Sequence, residues 1–279
     1  MKLKRLVAFF TLIILVFSIS ACQKVEKVEV KMGLKNEDFN YMNEGKIRKI
    51  IIQSTRDRGF RFVVTSSQTI SEIYDILSSA KVASKKSTLE PDYIFDLYKS
   101  DKVKYDSFYY IAGIDKKDGG NLYNNKKSYI VSGRIDNDII KDFLDIDAKR
   151  LPNNFNKVYY PMILQALNQY EASGVDKNKT VGINFKDDVN ALKYVLSTDI
   201  EDFKKKLPGN ASIVTDDKVS TDVTEKVETR GYKTDAYKCK ITFYDNKTAV
   251  QKVYYALCQY DKGKYSWNIS ISDSQPANF

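Results

Sequence analysis

The side chains of this 279-residue chain that could do chemistry fall into a few small groupings. Ser78 and Lys81 stand three apart, the spacing of a Ser-Lys pair in which the amine deprotonates an attacking hydroxyl, and Tyr123-Asn124-Asn125 imitates the second motif of such enzymes. No Lys-Thr-Gly or Lys-Ser-Gly follows, and Ser78 falls at the end of its expected helix rather than the start. A hydroxyl and an ammonium on a solvated last turn is therefore expected. Asp136, Asp138, Asp142, Asp145 and Asp147 form an acidic run that could bind a cation or pair two catalytic carboxylates. The glycine and closing glutamate of a calcium loop are missing, and helical spacing spreads the acids over an exposed face. Asp136 and Asp138 also sit where carboxylates favour a helix N-terminus. The run Arg58-Gly59-Phe60-Arg61-Phe62-Val63 approximates an RNA-binding strand, but Arg61 replaces the small residue and the partner strand lacks an aromatic. Phe60 and Phe62 are expected in a core instead. The tyrosine clusters (Tyr105, Tyr109, Tyr110; Tyr159, Tyr160; Tyr254, Tyr255, Tyr260) could form a carbohydrate or peptide platform, though core or edge packing is favoured.

Composition removes most other chemistry. With no histidine, Ser-His-Asp hydrolysis, Cys-His chemistry and the H-E-x-x-H zinc proteases are closed. Only Cys22, Cys239 and Cys258 could supply sulfur, so no structural zinc site is expected. Carboxylate pairs, Ser-Lys pairs and oxygen-ligated cations survive. No catalytic, cofactor-binding or metal-ligating residue is assigned, and the chain is expected not to be an enzyme.

The elements that must position these residues begin with an address. Lys2, Lys4 and Arg5 precede an uncharged apolar run from Leu6 to Ile19, too short for a comfortable membrane span and suited to a signal-peptide core. It ends in Ile19-Ser20-Ala21-Cys22, which looks like a bacterial lipobox and implies cleavage between Ala21 and Cys22 with diacylglycerol on the Cys22 thiol. Each buried methylene contributes about 0.8 kcal/mol, so two acyl chains anchor stably where one is marginal. The expected location is the extracytoplasmic face of the cell membrane. Losing residues 1–21 leaves 42 basic against 36 acidic side chains, a net charge of +6. Such a surface could meet anionic headgroups or wall polymers. Only eight of the 45 basic residues are Arg, however, so bidentate phosphate clamps are few and a Lys-rich composition explains the charge more simply.

Beyond a lipidated tether at 22–44, in which Val25, Val28 and Val30 suggest a short strand, patterning predicts two α+β domains, 45–150 and 151–279. Each is an antiparallel sheet with packed helices. In the first, Lys46–Ser54 and Gly59–Thr65 read as a hairpin. A helix follows, opened by a Thr69/Glu72 capping box, with Ile70, Ile73, Tyr74, Leu77 and Ala80 on one stripe. Strands are expected at 92–98, 104–112 and 128–132, then a helix over 137–146. Lys149 to Asn156, with Pro152 and three Asn, marks the boundary. In the second domain helices are expected at 162–173, 186–197 and 199–206, a loop at 209–222, and then a meander. A two-residue turn at Asp245-Asn246 places Cys239 opposite Lys252 and Cys258 about 20 Å further along, which predicts two free, buried thiols.

The lipobox, Pro91-Asp92-Tyr93 leading into a strand and Tyr129-Ile130-Val131-Ser132 before a helix resemble the YhfM-like lipoproteins of low-GC Gram-positive bacteria over residues 25–146. That resemblance implies an extracytoplasmic α+β domain and offers no catalytic residues. The last 90 residues, ending in Gly263-Lys264-x-x-Trp267, resemble cystatin-like or NTF2-like folds, in which a curved sheet sometimes encloses a ligand. The expected function is a surface lipoprotein serving as a non-catalytic binding or scaffolding module of the envelope, with no cofactor. Its expected partner is the membrane, with envelope proteins or anionic wall polymers as further candidates and no nucleic acid. The alternatives are a carrier or sensor holding a small ligand in a C-terminal cone, and a His-free hydrolase.

Overall fold

The computed structural model describes residues 35–114, 119–141, 155–214, 220–277 and 279. The lipobox, the tether valines and the expected boundary segment up to residue 154 lie outside them.

The first sheet grows from isoleucine alternation. β1 (Lys49–Ser54) buries Ile50, Ile52 and Ser54 on one face. It pairs antiparallel with β2 (Arg61–Val64) and β4 (Tyr93–Tyr98), setting Ile50 against Val64 and Leu97, and Ile52 against Phe62 and Phe95. Adding β3 (Lys81–Val82), β5 (Lys104–Tyr110), β6 (Leu122–Tyr123) and β7 (Ser128–Ile130) gives a seven-stranded order β2-β1-β4-β5-β6-β7-β3. A short α1 (Asn40–Asn43), α2 (Ser67–Ser78) and α3 (Ile135–Ile140) close the buried face. The α2 stripe is the expected one, since Ile70, Ile73, Tyr74 and Leu77 are all buried. Its cap is not. Ser66 Oγ accepts the Thr69 N–H at 3.4 Å, and Glu72 accepts from Gln68 on the exposed side, so the helix opens one turn earlier than a Thr69/Glu72 box. The α3 segment is wound as a wide π turn, a form often met at functional sites.

The second sheet is built against α4 (Phe155–Ala172). Val158, Tyr159, Met162, Ile163, Ala166, Leu167 and Tyr170 recur at helical spacing and are buried, the periodicity of one apolar face. They meet Tyr237, Cys239, Ile241 and Phe243 of β11 (Ala236–Asp245) and Tyr254, Ala256 and Cys258 of β12 (Gln251–Asp261). Tyr170 stacks on Phe243 with centroids 4.1 Å apart and planes 4° from parallel. The interior of this sheet is thus closed by side chains.

The order is β13-β12-β11-β10-β8-β9, with β10 (Val223–Lys233) and β13 (Ser266–Ser272) antiparallel to their meander neighbours. Two strands depart from the predicted all-antiparallel meander. β8 (Val181–Asn184) pairs parallel with β10, and β9 (Ala211–Ile213), inside the expected loop, pairs parallel with β8. The expected helix at 186–197 shrinks to α5 (Val189–Leu192), while α6 (Ser197–Lys204) matches the predicted third helix.

The β11–β12 connection corrects the register. Asp245 Oδ1 accepts the N–H groups of Lys247 and Thr248 at 3.0 and 2.8 Å, and Ala249 takes φ +60°, so the loop is longer than two residues. Cys239 faces Ala256, not Lys252, and Cys258 faces Tyr237. The cysteines are diagonal neighbours rather than 20 Å apart. They are nevertheless free and buried. A cross-strand diagonal of about 7–8 Å on one face exceeds what a disulfide spans.

Candidate functional site

Where the two halves meet, charged side chains are withdrawn from water. Asp92 ends the connection into β4, and its carboxylate is 1% exposed. Arg56, from the β1–β2 turn, places Nη1 2.5 Å from Asp92 Oδ1 and donates through Nη2 to Ser197 Oγ at 2.5 Å. The Ser197 N–H donates to Asp92 Oδ1 at 2.8 Å, and the Ala112 N–H to Oδ2 at 2.9 Å. Ser197 Oγ in turn donates a hydrogen bond to the Glu90 carbonyl at 2.7 Å. The partners in this knot come from both halves of the chain. Leu196, beside it, packs into the core of the first sheet.

Two further carboxylates border the knot. Asp136 accepts from Tyr110 Oη at 2.9 Å and from the Gly113 N–H at 3.1 Å. It therefore ties α3 to β5 instead of only capping its own helix, as the sequence suggested. Burial raises its pKa against those two hydrogen bonds. Asp199, in the first turn of α6, is pushed up to about 6 by burial and then by the nearby Asp92 and Asp202 charges. Burial also raises Asp92, opposed chiefly by the Arg56 charge. Cutting off the solvation of three neighbouring acids at once makes the seam an electrostatically costly junction.

Beside the knot a cleft of about 420 Å³ opens between the halves, lined by Tyr93, Ala112, Asp136, Ile140, Tyr194 and Leu196. Its wall is mainly apolar, with Asp136, Asn137 and Lys141 as its polar side chains. Among the described residues no group of three or more His, Cys, Asp or Glu side chains is placed to hold a metal ion.

Of the residues singled out by sequence, Asp136 and Tyr110 meet there, beside Asp92 and Tyr93 of the Pro91-Asp92-Tyr93 motif, and the others do not converge. Ser78 is fully buried and donates to the Asp75 carbonyl at 3.1 Å while Lys81 is exposed, which corrects the expectation of a solvated pair. Asp138 pairs with Arg134 at 2.8 Å on the surface, and Asp142, Asp145 and Asp147 fall outside the described residues. Phe62 packs against the first core, but Phe60 stays half-buried, edge-on to Phe62 at 4.9 Å, with Lys193 over its ring at 5.5 Å. Of the tyrosines, Tyr110, Tyr159, Tyr160 and Tyr254 are core residues, Tyr105 and Tyr109 are exposed, and Tyr255 and Tyr260 are half-buried. Ala21 and Cys22, the cleavage and lipid-attachment residues, lie outside the described residues. Among the described residues no helix is long and apolar enough to cross a membrane.

Sequence reading missed Arg56, taken as a turn residue, and Ser197, taken as a helix end. Asp92 carried a signal. An acid directly before the strongly apolar run YIFDLY must enter the protein with it and needs a cation.

No curated protein and no solved structure matches the chain. Residues 43–149 match the protein family described as YhfM protein, the stretch that spans the whole first sheet with α2 and α3, so the N-terminal part of the chain is YhfM-like.

Proposed function

We propose that the chain is an envelope lipoprotein, anchored through Cys22 to the extracytoplasmic face of the cell membrane, that works as a non-catalytic binding or scaffolding module. The observation that carries this reading is the knot at the seam. Asp92, Arg56 and Ser197 bond to one another and to backbone groups, so this buried charged site joins the two halves. Filled interiors on both sheets support the same reading. Intact-mass analysis of protein isolated from its native membrane tests it: the expected product begins at Cys22 with a diacylglyceryl thioether, and Cys22→Ser releases the protein from the membrane fraction. An unmodified Cys22 thiol in the native product would sink the proposal.

A second reading is favoured by the interdomain cleft. The apolar walls supplied by Tyr93, Ile140, Tyr194 and Leu196, with Asp136, Asn137 and Lys141 beside them, suit a small, mainly apolar ligand with a polar end. The place for a carrier is then this seam and not a cone inside the second sheet. Leu196→Arg should abolish uptake of such a ligand, read by tyrosine fluorescence, without changing membrane attachment.

A further inference from the structure

Among the described residues the α4 helix covers one face of the second sheet. On the opposite face Val253, Tyr255 and Leu257 of β12 alternate with the buried Tyr254, Ala256 and Cys258 and stay outside the core cluster. Phe279 is the one described ring seen against them, edge-on to Tyr255 at 4.9 Å. Four cations share this face: Lys226 and Arg230 of β10, Lys238 and Lys240 of β11. Register sets Lys240 between Glu228 and Tyr255, Lys238 beside Leu257, and Lys226 beside Thr242 and then Val253. Glu228, 3.4 Å from Arg230, and Asp261 at the end of β12 are the acids of this parity on the three strands, so among the described residues the face carries a net positive charge.

The spacing is regular. Lys238 and Lys240 are two residues apart on one strand, about 7 Å, and Lys226 lies diagonal to Lys240 at about 7–8 Å. We infer that this face binds an extended polyanion carrying a phosphodiester-type charge every several ångströms, laid across β10, β11 and β12. Lysine suits such a partner because a compact, mobile point charge follows a flexible chain without demanding a fixed bidentate geometry. Released counterions supply much of the binding free energy. A bilayer surface fits less well, since Val253, Tyr255 and Leu257 are half-buried and offer no exposed large apolar side chain to insert. The inference deepens the envelope reading by naming a partner class and rests on it for the partner's location, though binding itself needs no acyl anchor.

The test uses the full chain as isolated, held in zwitterionic phosphatidylcholine vesicles, with long-chain inorganic polyphosphate as the probe. Polyphosphate should bind with an affinity that falls steeply with salt, by about tenfold or more between 50 and 200 mM. The triple variant Lys226→Glu, Lys238→Glu, Lys240→Glu should lose at least tenfold, while Lys81→Glu, Lys102→Glu, Lys126→Glu, the same charge change on the first half, should lose far less. Equal losses in both variants would overturn the assignment in favour of net charge alone. Absence of binding at low salt would overturn it outright. Hydrogen-exchange protection of β12 by phosphatidylglycerol-containing vesicles, without protection by polyphosphate, would reassign the face to the membrane. Because Cys22 mass is measured separately, failure here leaves the lipoprotein reading standing, and the reverse also holds.

Discussion

Glu225 is the residue whose placement has the least compensation. It is fully buried on β10, facing Phe243 of β11 and Ile183 of β8, and neither carboxyl oxygen has a hydrogen-bond partner among the described residues. Burial therefore holds its pKa well above the ordinary glutamate value, with a smaller push from Glu171. A raised folded-state pKa means that stability is fullest below the unfolded value of 4.5 and is lost as pH rises toward the folded one. Denaturation in urea at pH 4 and pH 7 should show the wild type weaker at pH 7. Glu225→Met should stabilise the protein at pH 7 by about 1–3 kcal/mol and flatten that dependence, because it removes an unsatisfied polar group. A destabilised Met variant would mean that Glu225 has a partner after all. The position was partly legible, since Glu225 shares strand parity with Val223 and Val227, whose burial the pattern implies. What covers that parity was not legible, because α4 and β8 arrive from distant sequence.

Most elements long enough to display a period were readable, though the eleven-residue β10 was not, and most short ones were not, though β7 was expected within 128–132. The β1–β2 hairpin, the α2 stripe, β4, β5 and the β11 alternation all follow from apolar spacing. β3 and β6 have two residues each and β9 three, too few for any period to register. β8 escaped for another reason: its four residues, Val-Gly-Ile-Asn, are buried at three successive positions and show no alternation. The turn error at Asp245 arose because an Asx turn and a left-handed Ala249 lengthen the loop, which composition does not announce. β8 also offers a sharp packing test. A Cβ on Gly182 would lie 2.5 Å from Val214 Cγ2 and 2.7 Å from Thr221 Oγ1, inside van der Waals contact. Gly182→Ala should cost about 1–3 kcal/mol by urea denaturation. Gly231→Ala, with nothing within 4 Å, should stay within about 0.5 kcal/mol of the wild type.

At the scale of the whole molecule, the fold class and two-sheet plan were legible, and the junction was not. Asp92, Arg56 and Ser197 are up to 141 residues apart in sequence, and no local pattern links them. Asp92→Asn keeps the side-chain shape but leaves Arg56 facing a neutral amide in a place where only 13% of its side chain is exposed. Breaking a buried pair from one side costs about 3–5 kcal/mol. By scanning calorimetry the wild type is expected to melt in one transition and the variant in two; a single unshifted transition in the variant would show that the knot does not couple the halves. The parallel placement of β8 between β9 and β10 governs when the molecule can be completed. On a chain emerging from its N-terminus, β8 is exposed about 40 residues before the strand that joins it to the meander, since β10 begins only at Val223. Until that strand arrives, the stretch Val181–Asn184 has only the short β9 beside it. A polypeptide released before Val223 would carry an apolar edge with no meander to dock on, and would be a natural substrate for quality-control proteases.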